Sequence, residues 1–275
     1  LNILNNFKLN FLHKVRKLYL NSKFYNNKIS KVKNKHLIYK PSPSLIDCLV
    51  KYKKEKYKIE DFQHKNIWVN AYISEKNFKK LNSFFWLFTL DLKSSNQITQ
   101  DVIAKWIDDN TNYNIKSWEL DILSKRVIAW LSNARLTYEN GSEDYKEKFN
   151  FLIRKQVNHL INEIYRSHNV DDKLIGCTAI ILCGLCYRDR QFLSNGISLL
   201  KKINEYSLDD LNFPKSRSFR QLVFYLKYFV LIRELLKDSQ SEIPDFINET
   251  IFYLGRSYNF FWQRTKESFL FNGNI

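Results

Sequence analysis

From Ser83 onward, apolar residues recur at three- and four-residue intervals, and short polar breaks separate the runs. That spacing predicts one amphipathic helix after another. "SFFWLFTLDL" leads into helices at 97–110, 117–138, 143–166, 172–187, 190–205, 217–238 and 245–263. Turn and capping residues sit in the breaks: Asn140-Gly-Ser, Asp171-Asp172, Ser207-Leu-Asp-Asp, Pro214 and Pro244. Short links between long helices make antiparallel hairpins, so the expected fold class is all-α.

Two of these helices are apolar on more than one side. Along 143–166 the main stripe is Tyr145, Phe149, Leu152, Ile153, Leu160 and Ile164. Phe151, Asn158 and Tyr165 recur every seventh residue on nearly the opposite face, a line that a helix with one solvated face does not need. The helix at 172–187 is apolar almost all round. Both patterns predict helices packed between neighbours, as in a toroid or a layered helical array. Ahead of Ser83 the signal weakens. Residues 1–22 read as a basic amphipathic helix with Leu4, Phe7, Phe11, Val15 and Leu18 on one side. Residues 23–82 are the least regular part, broken at "KPSPS" (Lys40–Ser44), with a short strand expected at "IWVNAYI".

Composition adds limits rather than a function. The 275 residues are 44% hydrophobic and 16% aromatic, enough for a sizeable core, and six glycines and four prolines are too few for a turn-rich β fold. Lys+Arg 44 against Asp+Glu 28 gives +16, which suits an acidic partner: nucleic acid, an anionic membrane surface or an acidic polysaccharide. An A+T-rich gene, favouring Lys, Asn and Ile through its codons, explains the same excess equally well. No helix-turn-helix or RNA-binding signature stands out, so nucleic acid ranks last among the partners. The apolar run Leu174–Tyr187 is too short for a transmembrane span. No signal peptide is visible, which leaves the compartment open and cytoplasmic by default.

Cys48, Cys177, Cys183 and Cys186 do not make a disulfide framework in a chain this long. The CxxC of "LIGCTAIILCGLCY" has no second ligand pair, so small residues at close helix contacts are expected there rather than a metal or redox centre. The acidic pairs Asp108-Asp109, Asp171-Asp172 and Asp209-Asp210 form no DDxxD pattern and read as caps. With no phosphate loop, dinucleotide fingerprint, HExxH or GxSxG in view, no cofactor is implied. The remaining chemistry centres on "QVNHLINEIY": an Asn158 amide that could bind a carboxylate, beside a His159 imidazole that could move a proton. Spacing alone favours an ordinary polar pair on a crowded helix.

The succession of blocks "FFWLFTLDL", "VIAKWIDDN", "SWELDILSKRVIAWLSN", "RKQVNHL", "AIILCGLCY" and "SFLFNG" resembles the N-terminal domain of the heparinase II/III family of polysaccharide lyases, especially its alphaproteobacterial members. The resemblance spans about residues 60–273. It implies a basic N-terminal segment at 1–60, followed at 61–275 by an incomplete α/α toroid that a C-terminal β-sandwich domain, absent from this sequence, would complete. It also implies an acidic, uronic-acid polysaccharide as partner, periplasmic location if the family's usual role holds, and β-elimination as the chemistry. In that reaction a polar group neutralises the uronate carboxylate, and a Tyr or His moves protons between C5 and the leaving oxygen.

Residue by residue, Asn158 and His159 match the neutralising Asn-His pair. Arg126 matches a family arginine, although a structural ion pair is an equal reading; Trp118 and Arg220 join it as expected substrate-binding residues. The stretch "FPKSRSFRQLV" places Phe219 where the family's catalytic Tyr stands, and Phe has no proton to give. Tyr225, six residues on, points away from that position. The resemblance therefore implies a domain that binds acidic sugar, with lyase activity weak or dependent on residues elsewhere. A carbohydrate-binding or scaffold toroid without catalysis is the alternative.

Overall fold

The computed structural model of the protein describes residues 11–12, 14–33, 35–46, 74–90 and 95–265. These are mostly helical, and no strand occurs among them. The strand expected at "IWVNAYI", the domain boundary at 60, Cys48 and the "SFLFNG" block lie outside the described residues.

Residues 14–20 are helical and are followed by α1 (Lys23–Ile29). The main body comprises α2 (Glu75–Asn82), α3 (Asn96–Asn110), α4 (Leu120–Ser132), α5 (Ala134–Thr137), α6 (Glu143–Glu163), α7 (Val170–Cys186), α8 (Arg190–Ser207), α9 (Phe219–Asp238) and α10 (Asp245–Thr265). Local chemistry sets these limits. Ser95, Ser142, Asn169, Asp189 and Ser218 each accept a first-turn N–H, the role that short polar side chains perform at N-caps. Asp171 and Asp172 fall inside the first turn of α7, where the positive end of the helix dipole favours them, and Asn169 is the cap. Asp209 caps no helix; its Oδ1 accepts the Leu211 and Phe213 N–H groups and ties a loop. The single helix predicted at 117–138 is two, α4 and α5, parted at Asn133.

α7 is the central element. Residues 174–187 are all buried, and α4, α6, α8 and α9 pack around them. Small residues let α8 come close: a Cβ on Gly184 would lie 2.5 Å from the Leu193 backbone N, and one on Gly196 would lie 2.5 Å from Ile181 Cγ1. Cys177 donates its thiol to the Gly196 carbonyl at 3.0 Å, and burial pushes the Cys177, Cys183 and Cys186 thiols up, away from thiolate chemistry. α9 pairs in turn with α10. Beside α7, Trp130 of α4 collects Phe84, Trp106 and Phe149 at ring-centroid distances of 5.1, 5.6 and 5.4 Å. This is aromatic packing that anchors α3, α4 and α6 together.

α6 departs from the expectation. Its main stripe is buried, but the second line is at the surface, with Phe151 and Tyr165 both exposed. Their ring faces are covered by the Lys155 and Lys202 ammonium groups at 5.6 and 5.4 Å, so cation–π contact replaces a packing helix. The N-terminal amphipathic stretch also points the other way: Phe11, Val15 and Leu18 face solvent, while Tyr19 and Leu20 turn inward.

The α7–α8 contact generates a paired prediction. Gly184→Ala should lower unfolding free energy by about 2 kcal/mol, because backbone atoms of α8 cannot yield to the new methyl. Gly255→Ala in α10, whose Cβ would meet no atom within 4 Å, should raise it by about 0.5–1 kcal/mol through helix propensity. Urea denaturation of both variants reads the two signs.

Candidate functional site

The "QVNHLINEIY" stretch forms the edge of α6 on which the N-terminal arm, residues 14–46, is seated. Successive side chains of α6 diverge by about 100°, so neighbours serve different surfaces. Asn158 donates through Nδ2 to the Ile29 carbonyl at 2.9 Å, and Asn162 Oδ1 accepts from Lys28 Nζ at 2.9 Å. Glu163 pairs with Arg16, whose Nε lies 3.1 Å from Oε2. The arm then continues past the end of α7, where Ile38 and Tyr39 N–H groups donate to the Cys186 carbonyl at 2.8 and 3.1 Å.

His159 turns inward, away from Asn158. Its Nδ1 lies 2.7 Å from the Tyr25 hydroxyl, and the rings of Tyr25, Tyr113 and Trp118 surround it at centroid distances of 5.9, 5.2 and 5.5 Å. Burial, helped by the nearby Arg16 charge, lowers its pKa to about 3. The imidazole is therefore neutral near pH 7 and brings no positive charge to a carboxylate. Burial likewise keeps the Tyr25 phenol protonated, so a neutral hydroxyl and a neutral imidazole share this hydrogen bond.

The other expected site residues are not gathered around this pair. Arg126 is fully buried: Nη1 donates to the Asn82 carbonyl at 2.9 Å, Nε to Gln156 Oε1 at 3.3 Å, and the guanidinium lies 4.1 Å from the Trp106 ring centre. Trp118 is buried in the His159 cage and donates to the Asn110 carbonyl at 3.2 Å. Arg220 reaches Asp171 at 3.2 Å, joining the start of α9 to the start of α7. Phe219 is buried and stacks on Tyr258 with ring centres 6.0 Å apart. Tyr225 is buried too, its phenol pushed up to about 12 mainly by desolvation. The geometry thus brings Trp118 to His159 and leaves Arg126, Arg220 and Phe219 elsewhere.

What Asn158 does line is a basic cleft of about 480 Å3. The arm supplies Lys31, Val32, Lys33 and Lys35; α6 supplies Arg154 and Asn158; the α7–α8 corner supplies Arg188, Asp189, Arg190, Gln191 and Phe192. Six cationic residues thus line the cleft with a single carboxylate, and one of them, Arg188, donates through Nη1 to the Ser239 carbonyl at 3.3 Å. Asp189 accepts from Lys35 at 3.3 Å and from Arg154 at 3.0 Å, while its Oδ1 caps α8 through the Gln191 and Phe192 N–H groups. Burial alone would raise its carboxyl; the Phe192, Lys35 and Arg154 hydrogen bonds outweigh that and hold it below the usual carboxylate range. Arg154 is clasped between the Tyr187 and Phe192 rings at 5.4 and 5.3 Å, and its Nε and Nη1 have no hydrogen-bond partner among the described residues. Lys31, Lys33 and Arg190 make no ion pair among the described residues. The N-terminus of α8 adds its own partial positive charge to the wall. A second depression of about 530 Å3, lined by Arg16, Tyr165, Arg166, His168, Lys173 and Tyr206 among others, lies at the C-terminal end of α6.

Asn158 was singled out in the sequence and lines this cleft, whereas the cations around it were not. The available signals were the alternating lysines of "KVKNK" and the "YRDRQ" corner, which are far apart in the chain and meet through folding. Among the described residues, no group of three His, Cys, Asp or Glu side chains is placed to hold a metal, and no helix is long and apolar enough to cross a membrane. No protein-family model, curated protein or solved structure matches the chain.

Two outcomes are expected. The folded pKa of His159 lies below the ordinary 6.5 of an imidazole, so the unfolded chain binds the extra proton between those values. Stability should therefore fall as pH drops below about 6.5, with a slope from this residue approaching 1.4 kcal/mol per pH unit. Denaturant unfolding from pH 7 to pH 4 should show the slope in the native protein and a flatter one in His159→Gln. Separately, Asn158→Ala removes the donor to the Ile29 carbonyl, at a cost of about 1 kcal/mol. Amide exchange should quicken in residues 23–33 and stay slow in α7.

Proposed function

We propose that this domain binds an acidic polysaccharide in the cleft between the arm, α6 and the α7–α8 corner, and that it does so without cleaving it. The observation that carries this reading is the cleft's lining, which holds six cationic residues, one carboxylate and Asn158. Lysine and arginine side chains on three walls suit a polymer with repeated carboxylate or sulfate groups, which binds through several charge-assisted contacts at once. Asn158 provides a neutral polar group beside them.

The heparinase II/III resemblance agrees with this ligand class. The packing of α7 between α4 and α9, with α8 the hairpin partner of α7 and α10 that of α9, supports an arc of an α/α toroid of that type. Beta-elimination needs both carboxylate neutralisation and a group that moves the C5 proton. The cleft cations would serve the first need. No Tyr or His among the described residues lines the cleft, His159 is sealed in its aromatic cage, and Phe219 stacks in the α9–α10 hairpin. Binding without cleavage is therefore favoured over lyase activity.

Binding of heparan sulfate, alginate and a neutral glucan, each measured by calorimetry across a salt series, tests the proposal. The acidic polymers should bind, weaken with salt and lose roughly tenfold or more in affinity in Lys33→Glu/Arg190→Glu, while the neutral glucan should not bind. Far-ultraviolet absorbance should show no 4,5-unsaturated uronate. Equal binding of the neutral glucan, or an unaffected double variant, would remove the cleft from the account. A rise in absorbance would restore the lyase reading, and binding confined to nucleic acid would replace the polysaccharide.

A further inference from the structure

The N-terminal arm presents a second surface, independent of the cleft. Residues 14–20 are held to the body from one side: Arg16 pairs with Glu163 and lies 5.1 Å from the Tyr19 ring centre, Tyr19 packs against Tyr25 at 5.1 Å, and Leu20 is buried. The opposite side is apolar and faces solvent. Phe11 is 59% exposed, Val15 45% and Leu18 73%, and at 100° per residue Val15 and Leu18 lie about 60° apart. Phe24 of α1, 71% exposed, extends the surface, with its ring 6.4 Å from that of Tyr19. Lys14, about 40° from Leu18, and Lys23, next to Phe24 in the chain, are exposed beside it, and Lys17 is exposed further round the helix. An amphipathic helix normally buries its apolar face on the protein; this one makes its polar contacts inward and leaves its largest apolar side chains outside.

We propose that the face formed by Phe11, Val15, Leu18 and Phe24, with Lys14 and Lys23 beside it, docks on an anionic lipid surface. The charge pattern selects this occupant. A narrow apolar stripe bordered by lysines matches the interface of an anionic bilayer, where rings and aliphatic chains enter the acyl boundary and ammonium groups meet phosphate. A second copy of the chain fits poorly, since a twofold contact through this stripe would bring the same lysines of two +16 molecules together. The helix would lie in the plane of the surface rather than cross it.

Co-sedimentation of the whole chain with phosphatidylcholine vesicles, with and without phosphatidylglycerol, tests the proposal. Binding should require the anionic lipid and weaken with salt. Phe11→Ser/Leu18→Ser should lower vesicle affinity roughly tenfold or more while leaving melting temperature and heparan sulfate binding unchanged, because both side chains stand in solvent away from the cleft. Equal binding to neutral vesicles, or full binding by the serine variant, would overturn the proposal. So would loss of vesicle binding in Lys33→Glu/Arg190→Glu with the serine variant unaffected, which assigns the lipid to the cleft. Light scattering that shows a dimer abolished by the serine pair would assign the stripe to a second copy.

Discussion

Asp189 is the group on which the rest of the candidate site depends. One carboxylate accepts from Lys35 of the arm, from Arg154 of α6 and from the first-turn N–H groups of α8. Three segments remote in sequence therefore meet at one negative charge, in a cleft whose cations would otherwise repel one another. Cationic side chains a few ångströms apart in a partly buried cleft raise each other's energy, and a single anion among them offsets much of that. The same carboxylate leaves most of the positive charge uncompensated. The cleft is thus held together by less negative charge than it contains positive, which is the electrostatic condition for taking up an acidic ligand.

That arrangement rests on a rigid frame behind it. The α7–α8 corner is fixed because Gly184 and Gly196 allow the two helices to approach closely, and Cys177 ties one to the other through the Gly196 carbonyl. The arm is fixed by the polar edge of α6. Asn158, Asn162 and Glu163 hold its backbone and cations, and His159 receives Tyr25 in an aromatic cage. Each contact is modest by itself, since a hydrogen bond contributes on the order of 1 kcal/mol net. Together they position Lys31, Lys33 and Lys35 on the cleft wall. Holding the arm is thus the structural role of the Asn-His pair, and lining the cleft is a second role for Asn158 alone.

The helices were largely legible because their ends carry local chemistry: Ser95, Ser142 and Ser218 cap where the apolar periodicity begins. The continuous apolar run at 174–187 correctly marked a buried helix. The seven-residue line of Phe151 and Tyr165 misled because lysine ammonium groups cover those rings at the surface, and periodicity cannot distinguish that from a packing partner. The candidate site was legible at one residue, Asn158. Adjacent letters suggested that His159 would share its environment, but helical rotation sends the imidazole toward Trp118 and Tyr113. The cleft itself comes from 31–35, 154–158 and 188–192, segments with no common periodicity, so its charge density exists in the fold and not along the chain.

The central claim is that these three segments form one anion-binding surface. Amide chemical shifts of the isotope-labelled protein, followed while an acidic oligosaccharide is added, test it most directly. The account predicts saturable shifts confined to Lys31–Lys35, Asn158 and the first turn of α8. Shifts gathered instead at the start of α9, around Ser218 and Arg220, or scattered over the surface without saturation, would contradict it.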